Sequence, residues 1–164
     1  MTGSVRQLNI SRGGIPKRAI AEGVVGPLGI EGDAHAHPHI HGGPRQALLV
    51  ITSEGLDDLV TLGFPLYSGA LGENITTEGL DRRFFRVGQR WRVGQIVIEF
   101  TKVREPCSTL DPYGPGIQKA LYDAAVKAGD PLSPRWGLSG FYASVVRTGT
   151  IRAGDPIVLL DQAA

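Results

Sequence analysis

Cysteine is nearly absent from this chain: there is one, Cys107, in 164 residues. One thiol cannot close an internal disulfide, so a disulfide framework is excluded and a reducing compartment is the simpler setting. Charge of either sign is not in excess. The net charge of +1 gives no reason to expect nucleic acid or an acidic surface as a partner. No apolar run opens the chain as a signal peptide would, and none approaches membrane-spanning length. The expectation is a cytoplasmic protein that engages neither nucleic acid nor membrane. There is no Walker-type loop, no Gly-x-Gly-x-x-Gly and no Gly-x-Ser-x-Gly elbow, so nucleotide hydrolysis and elbow-type serine catalysis lack support. Flavin and iron–sulfur motifs are missing too, so any electrons would come from another protein.

Hydrophobic residues make up 41% and charged residues 20%, the balance of an ordinary globular protein. The length fits one domain, 1–164, able to bury a real core. Glycine is the excess: 23 glycines are about twice the usual ~7% share. They are dispersed along the chain with 11 prolines, as many tight turns between short strands require.

Strands are expected at Val5–Ser11, around Lys17–Val25, at Gln46–Ile51, after the loop within Gly69–Thr77, at Ile96–Val103, at Phe141–Arg147 and at Ile157–Leu160. Gln46–Ile51 is a continuous apolar run, whereas Ile96, Ile98 and Phe100 alternate and share one face. A helix is expected next, with Ser53 as its N-cap and Leu56, Leu59 and Val60 on one face, stopped by Gly63 and Pro65. Ile117, Ala120, Leu121, Ala124, Ala125 and Ala128 fall at helical spacing. They predict a second helix with Pro115 in its first turn and an alanine-rich face against a sheet. Strands outnumber helices without regular alternation, so the fold class is mainly β: an antiparallel β-barrel with two or more attached helices.

Four stretches carry chemistry. In Thr101–Leu110 the thiol of Cys107 follows Pro106 at the end of a predicted strand, with Arg104 three residues upstream. A nearby cation lowers a thiol's pKa, while a lone cysteine is also an ordinary small core residue. In Gly32–Gly43 all four histidines, His35, His37, His39 and His41, alternate with other residues. An extended chain puts them on one face, where imidazoles bind transition metals, although Pro38 interrupts the strand. Gly42-Gly43 lets backbone approach an anionic group, or simply makes a turn. Gly72-Glu73-Asn74 offers a carboxylate and an amide in a constrained turn, suited to an amide-rich ring or to tying the turn down. Lys17, Arg18 and Arg45 are cations able to face an anion, or solvent.

In chain order, the motifs are Gly32-Asp33, His41-Gly42-Gly43, Ala47 opening a strand, Gly72-Glu73-Asn74-Ile75, and Gly88 and Gly94 flanking a strand. Arg104-x-Pro106-Cys107, Gly140-x-Tyr142 and Gly149…Gly154-Asp155 complete the set. This ordered set, covering about residues 14 to 160, resembles the MOSC domain, and most of all its small stand-alone bacterial members. The resemblance implies a β-barrel-like MOSC fold that binds molybdenum cofactor (molybdopterin). Cys107 matches the thiol that ligates molybdenum or carries sulfur as a persulfide. Lys17 and Arg18 match phosphate-contacting positions. His41, Gly42, Gly43, Glu73, Asn74 and Arg104 fall in motifs at the cofactor. Related reductases act on N-hydroxylated bases with an external electron donor. A non-catalytic sulfur or cofactor carrier docking with a larger system, fed by a sulfur donor protein, is the alternative. A His-based metalloprotein is a third reading. Pyridoxal phosphate is not expected, since that chemistry sits on a separate domain of the sulfurases. The chain departs from the family pattern at His37, often acidic, at Gln46, often lysine, and near Ser144, commonly arginine.

Overall fold

The computed structural model describes residues 1–34 and 42–161. Seven strands close into a barrel: β1 (Thr2–Ile10), β5 (Leu48–Thr52), β6 (Ile75–Glu78), β7 (Arg90–Val93), β8 (Ile96–Val103), β9 (Phe141–Arg147) and β11 (Pro156–Asp161). Around the barrel the order is β1-β6-β5-β9-β8-β7-β11, and the β11–β1 pairing closes it. β1 is long enough to serve three partners: Thr2–Ser4 pairs with β11, Ser4–Leu8 with β6, and Leu8–Ile10 with β2 (Arg18–Ile20). β3 (Glu22–Gly26), β4 (Gly29–Ile30) and β10 (Gly149–Arg152) form a separate three-stranded sheet. The mainly β barrel expected from the sequence is the fold observed.

All barrel neighbours are antiparallel except β5 and β6. A parallel pair needs a crossover, and it contains α1 (Ser53–Thr61). The N-cap of α1 is Thr52 rather than Ser53: its Oγ1 accepts the Gly55 N–H at 3.1 Å. Leu56 and Leu59 are buried as expected, but Val60 points to solvent, because in this short helix the next position along rotates past the contact stripe.

The continuous apolar run at β5 has a two-sided explanation. Leu48 and Val50 belong to the barrel core, while Leu49 and Ile51 join a second core outside the wall. That outer core contains Leu56, Leu59, Leu71, Leu110, Ile117, Leu121 and Leu138. On β8, Ile96, Ile98 and Phe100 face inward, fully buried. Phe85, Trp91, Phe100 and Phe141 meet there with ring centroids 5.0–5.8 Å apart.

The long helix expected from Ile117 is broken. α2 (Ile117–Leu121) and α3 (Ala124–Lys127) are separated by Tyr122, which is extended at φ −158°, ψ 140°. Asp123 explains the break: its Oδ1 accepts the Val126 N–H at 2.8 Å, starting a new helix, and its Oδ2 accepts Ser133 Oγ at 2.8 Å. The alanine face therefore does not pack as one stripe. Ile117 and Leu121 enter the outer core and Val126 the barrel core, while Ala124 and Ala128 are exposed. No described helix is long and apolar enough to cross a membrane.

Candidate functional site

Cys107 lies just past the end of β8, partly exposed, at the N-cap of a 3-10 turn spanning Ser108–Tyr113. That turn places the thiol sulfur 2.9 Å from Thr109 Oγ1. The preceding segment is fixed by a reciprocal clasp. Arg104 N–H donates to Gly140 O at 2.9 Å, Ser139 Oγ donates to Arg104 O, and Arg104 Nη1 donates to Ser139 O at 3.3 Å. Gly140 suits this seam: its φ is +99°, and a Cβ there would stand 2.7 Å from Ile51 Cγ1. Pro106 is buried beneath the turn, so the loop that presents the thiol is held from below.

Arg104 is buried, with its Nε lacking any hydrogen-bond partner. Desolvation pulls its pKa down, against the influence of Tyr142, Cys107 and Glu73. Those three groups therefore share its neighbourhood. Glu73 is completely buried: Oε2 accepts Thr76 Oγ1 at 3.0 Å, while Oε1 has no partner. Burial pushes its carboxyl above the usual range, partly offset by the Gly69 and Glu73 backbone N–H groups, Thr76 and Arg104. Burial likewise raises Tyr142, which sits opposite Leu49 across the β9–β5 pairing, so its hydroxyl stays protonated at neutral pH.

The other candidate residues take different places. Asn74 spends its amide within the protein: Oδ1 accepts Leu49 N–H at 3.1 Å, and Nδ2 donates to Asn9 O at 3.2 Å and Asp33 Oδ2 at 2.8 Å. Lys17 donates to Asp33 Oδ1 at 2.6 Å, Ala34 O at 3.4 Å and Ser11 Oγ at 3.5 Å. Arg18 is exposed on β2. Gly42 and Gly43 both adopt positive φ, +92° and +88°, and open space lies where a Gly43 side chain would be. Arg45 is exposed in the 3-10 turn Pro44–Gln46. His35, His37, His39 and His41 lie outside the described residues. Among the described residues no group of three or more His, Cys, Asp or Glu side chains is placed to hold a metal ion.

Electrostatic influence on Arg104 comes from Tyr142, Cys107 and Glu73, the last two of which are candidate residues from the sequence. Thr109 and Ser139 were not anticipated. Thr109 had a signal, standing two residues beyond the thiol, whereas Ser139, which meets Arg104 through both its hydroxyl and its carbonyl, comes from a distant part of the chain and had none. A lone partly exposed thiol beside a buried guanidinium with an unused N–H is a donor set that fits molybdenum cofactor: a soft sulfur ligand for the metal, and a cation for anionic oxygens. Lys17 and Asn74 fit it less directly, since their donors are already engaged.

The family model for the MOSC domain matches residues 37–158. The uncharacterized protein YflK of Bacillus subtilis (strain 168) is 29% identical over 133 residues, which are 80% of this chain and 56% of YflK. Protein YiiM of Escherichia coli (strain K12) is 27% identical over 139 residues, 82% of this chain and 58% of YiiM. This chain therefore spans a little over half the length of both relatives. A protein named Reductase from Gibberella moniliformis (strain M3125 / FGSC 7600) is 29% identical over 139 residues, 82% of this chain but 23% of that protein. The crystal structure of Escherichia coli YiiM has the same fold, with a TM-score of 0.72 at 23% identity, covering 100% of this chain and 72% of that one.

Proposed function

The chain belongs to the MOSC domain family, and on that footing we propose that it binds molybdenum cofactor, with Cys107 as the molybdenum ligand or as a persulfide sulfur carrier. The observation that carries the reading is the placement of the chain's one thiol, partly exposed at a turn and beside a buried arginine with an unused N–H. When bound, the cofactor supplies two-electron redox chemistry, suited to reducing N-hydroxylated bases with an external electron donor. Cys107 Sγ provides a soft anionic ligand, and the Thr109 hydroxyl at 2.9 Å orients the sulfur and shares its proton. Arg104 brings a guanidinium to the site whose Nε has no hydrogen-bond partner among the described residues. Burial raises the Glu73 carboxyl above the usual range, and Arg104 works against that rise. Lys17 and Arg18 are the residues proposed for the cofactor phosphate, Arg18 free to reach solvent and Lys17 by exchanging partners. His41, Gly42, Gly43 and Asn74 complete the proposed cofactor-binding set.

In the carrier version, the Cys107 thiolate attacks the terminal sulfur of a donor protein's persulfide. A persulfide forms on Sγ and the donor's thiolate leaves. One observation favours a module of this kind: the matching segment is only 23% of the Gibberella protein named Reductase, so there the domain works inside a much longer chain. That printed name in turn supports redox chemistry in the family.

Metal analysis and intact mass spectrometry, on protein made in cells that synthesise the cofactor, test the proposal. Molybdenum with bound pterin supports the ligand role, and one added sulfur on Cys107 supports the carrier role. Protein with neither, or a Cys107→Ser variant that keeps a full molybdenum load, removes the function assigned to the thiol.

A further inference from the structure

The 3-10 turn that begins after Cys107 is thinly held. Leu110 is fully buried in the outer core, and its N–H donates to Cys107 O at 3.1 Å. Ser108, Thr109, Asp111 and Pro112 around it are exposed. Six residues, Ser108–Tyr113, are a long run for 3-10 geometry, whose hydrogen bonds are poor, and Pro112 brings no N–H to it. The last residue supplies a further hold: the Tyr113 hydroxyl donates to Ala70 O, and its ring packs on the outer core. Burial pushes the Tyr113 phenol far above the ordinary tyrosine value, with Tyr67 adding to the rise. The donor therefore keeps its proton at neutral pH.

Ala70 is itself buried, in the segment that leads into Gly72-Glu73-Asn74, and the other side of that segment is fastened to Lys17. Lys17 N–H donates to Gly69 O at 2.9 Å. Gly69 has φ +92°, and a Cβ there would stand 2.2 Å from Lys17 O, so the two backbones touch with no room for a side chain. Next to them, Gln7 Nε2 donates to Ser68 O at 3.3 Å. Residues 68–72 are thus a spacer, with Lys17 against one side and the turn of Cys107 against the other. The Tyr113 hydroxyl is the hydrogen bond that joins the turn to it.

We propose that Tyr113 is a positioning residue for Cys107: by fastening the end of the thiol's turn to Ala70, it fixes the place and exposure of the sulfur relative to the segment that bears Lys17 and Arg18. This rests on the reading of Cys107 as the functional thiol. With the tether closed, the sulfur keeps its 2.9 Å contact with Thr109 Oγ1. Without it, Ala70 O loses its donor, the exposed turn opens from its far end, and the thiol is released to solvent.

Tyr113→Phe keeps the ring against the outer core and removes the tether alone. Cys107 is the chain's one cysteine, so alkylation by iodoacetamide reports on this turn directly. In cofactor-free protein under native conditions the rate is expected to rise about fivefold in Tyr113→Phe, the shift in turn opening that one lost hydrogen bond gives. Gly154→Ala is the comparison. Gly154 lies on the β10–β11 turn next to Asp155, which stands against Gly94 at the start of β8, the end of that strand opposite the thiol. Its urea midpoint should fall comparably while its alkylation rate stays at the wild-type value. A Tyr113→Phe rate at or below wild type, or a rise equalled by Gly154→Ala, overturns the positioning role and leaves Tyr113 a contributor to stability alone. Amide hydrogen exchange of the wild type needs no variant. The N–H groups of Leu110 and Gly114, which donate within the turn at 3.1 and 3.0 Å, should be protected, and exchange at the rate of an unstructured chain overturns the proposal. A rise of the expected size in protein that never acquires molybdenum or persulfide leaves the tether standing and sinks the function proposed for Cys107. Molybdenum loading with an alkylation rate unmoved by Tyr113→Phe does the reverse.

Discussion

The ammonium of Lys17 lies 2.6 Å from Asp33 Oδ1, with 7% and 3% of the two side chains exposed. Asp33 does more than neutralise it: Oδ1 also accepts the Ser11 N–H at 3.0 Å, and Oδ2 accepts Asn74 Nδ2 at 2.8 Å. Asn74 in turn binds the backbones of β1 and β5. A lysine, an aspartate and an asparagine far apart in sequence thus form one buried polar network that ties β1, β5 and the start of β6 together. Lys17 and Asn74 hold the barrel next to the candidate site before they hold any ligand.

Asp33→Ala is accordingly expected to destabilise cofactor-free protein by about 3–5 kcal/mol, because it strands a buried ammonium. Lys17→Met should cost less, since the carboxylate keeps two N–H donors. Urea unfolding of both variants measures this. Lys17→Met protein as stable as wild type would show that Lys17 serves a ligand alone.

Glu73 gives a pH-dependent expectation. Burial raises its folded-state pKa above the ordinary glutamate value, so the folded protein holds this proton more tightly than the unfolded chain does. The favourable contribution is complete below the unfolded pKa and is lost as pH rises through the folded value. Glu73→Gln keeps an acceptor for Thr76 and cannot ionise. Its stability relative to wild type should therefore climb as pH rises through the ordinary glutamate range and level off above the folded pKa. Denaturant unfolding from acid to neutral pH checks the sign, and a difference independent of pH contradicts it.

Strand content, the barrel and the thiol at the end of β8 were legible in the sequence because each is written locally. The two-sided burial of Leu48–Thr52 reads as an unbroken apolar run, and the inward face of β8 as alternation. The break at Tyr122 was not legible from hydrophobic spacing, which runs smoothly across it. Asp123 overrides the spacing by capping Val126, and Ser133 and Arg135, brought in by the chain's later return, hold its other oxygen. The engagement of Asn74 and Lys17 was hidden for the same reason: their partners come from distant strands. The unpartnered Nε of Arg104 is a fact about what fails to arrive among the described residues, and spacing carries no record of that.

Gly140→Ala tests the seam that positions Arg104. The substitution meets both a positive φ of +99° and a contact of 2.7 Å with Ile51, with Val50 O at 3.0 Å. A loss of about 2 kcal/mol or more is expected. Gly154→Ala is the control, with φ +91° but nothing within 4 Å of the new Cβ; it should cost about 1 kcal/mol from backbone strain alone. Equal losses in the two variants would show that the Ile51 contact relaxes without penalty.

Inside the barrel, Thr77 and Trp91 line one small apolar cavity with Val50, Ile75, Phe85, Ile98 and Phe100. Thr77 Oγ1 and Trp91 Nε1 are both buried without a hydrogen-bond partner. A hydroxyl in that position loses water and gains nothing, whereas a methyl of the same size gains contacts with the surrounding rings. Thr77→Val preserves the branched shape that suits β6 and removes the unsatisfied oxygen. It should raise stability by about 1 kcal/mol, read as a higher urea midpoint at unchanged slope. A loss instead would mean that the hydroxyl has an acceptor or donor in solution, with a water shared between Thr77 and the Trp91 indole N–H as the natural one. In that case Trp91→Phe should cost less in the Thr77→Val background than in wild type, because the two groups would no longer share a partner.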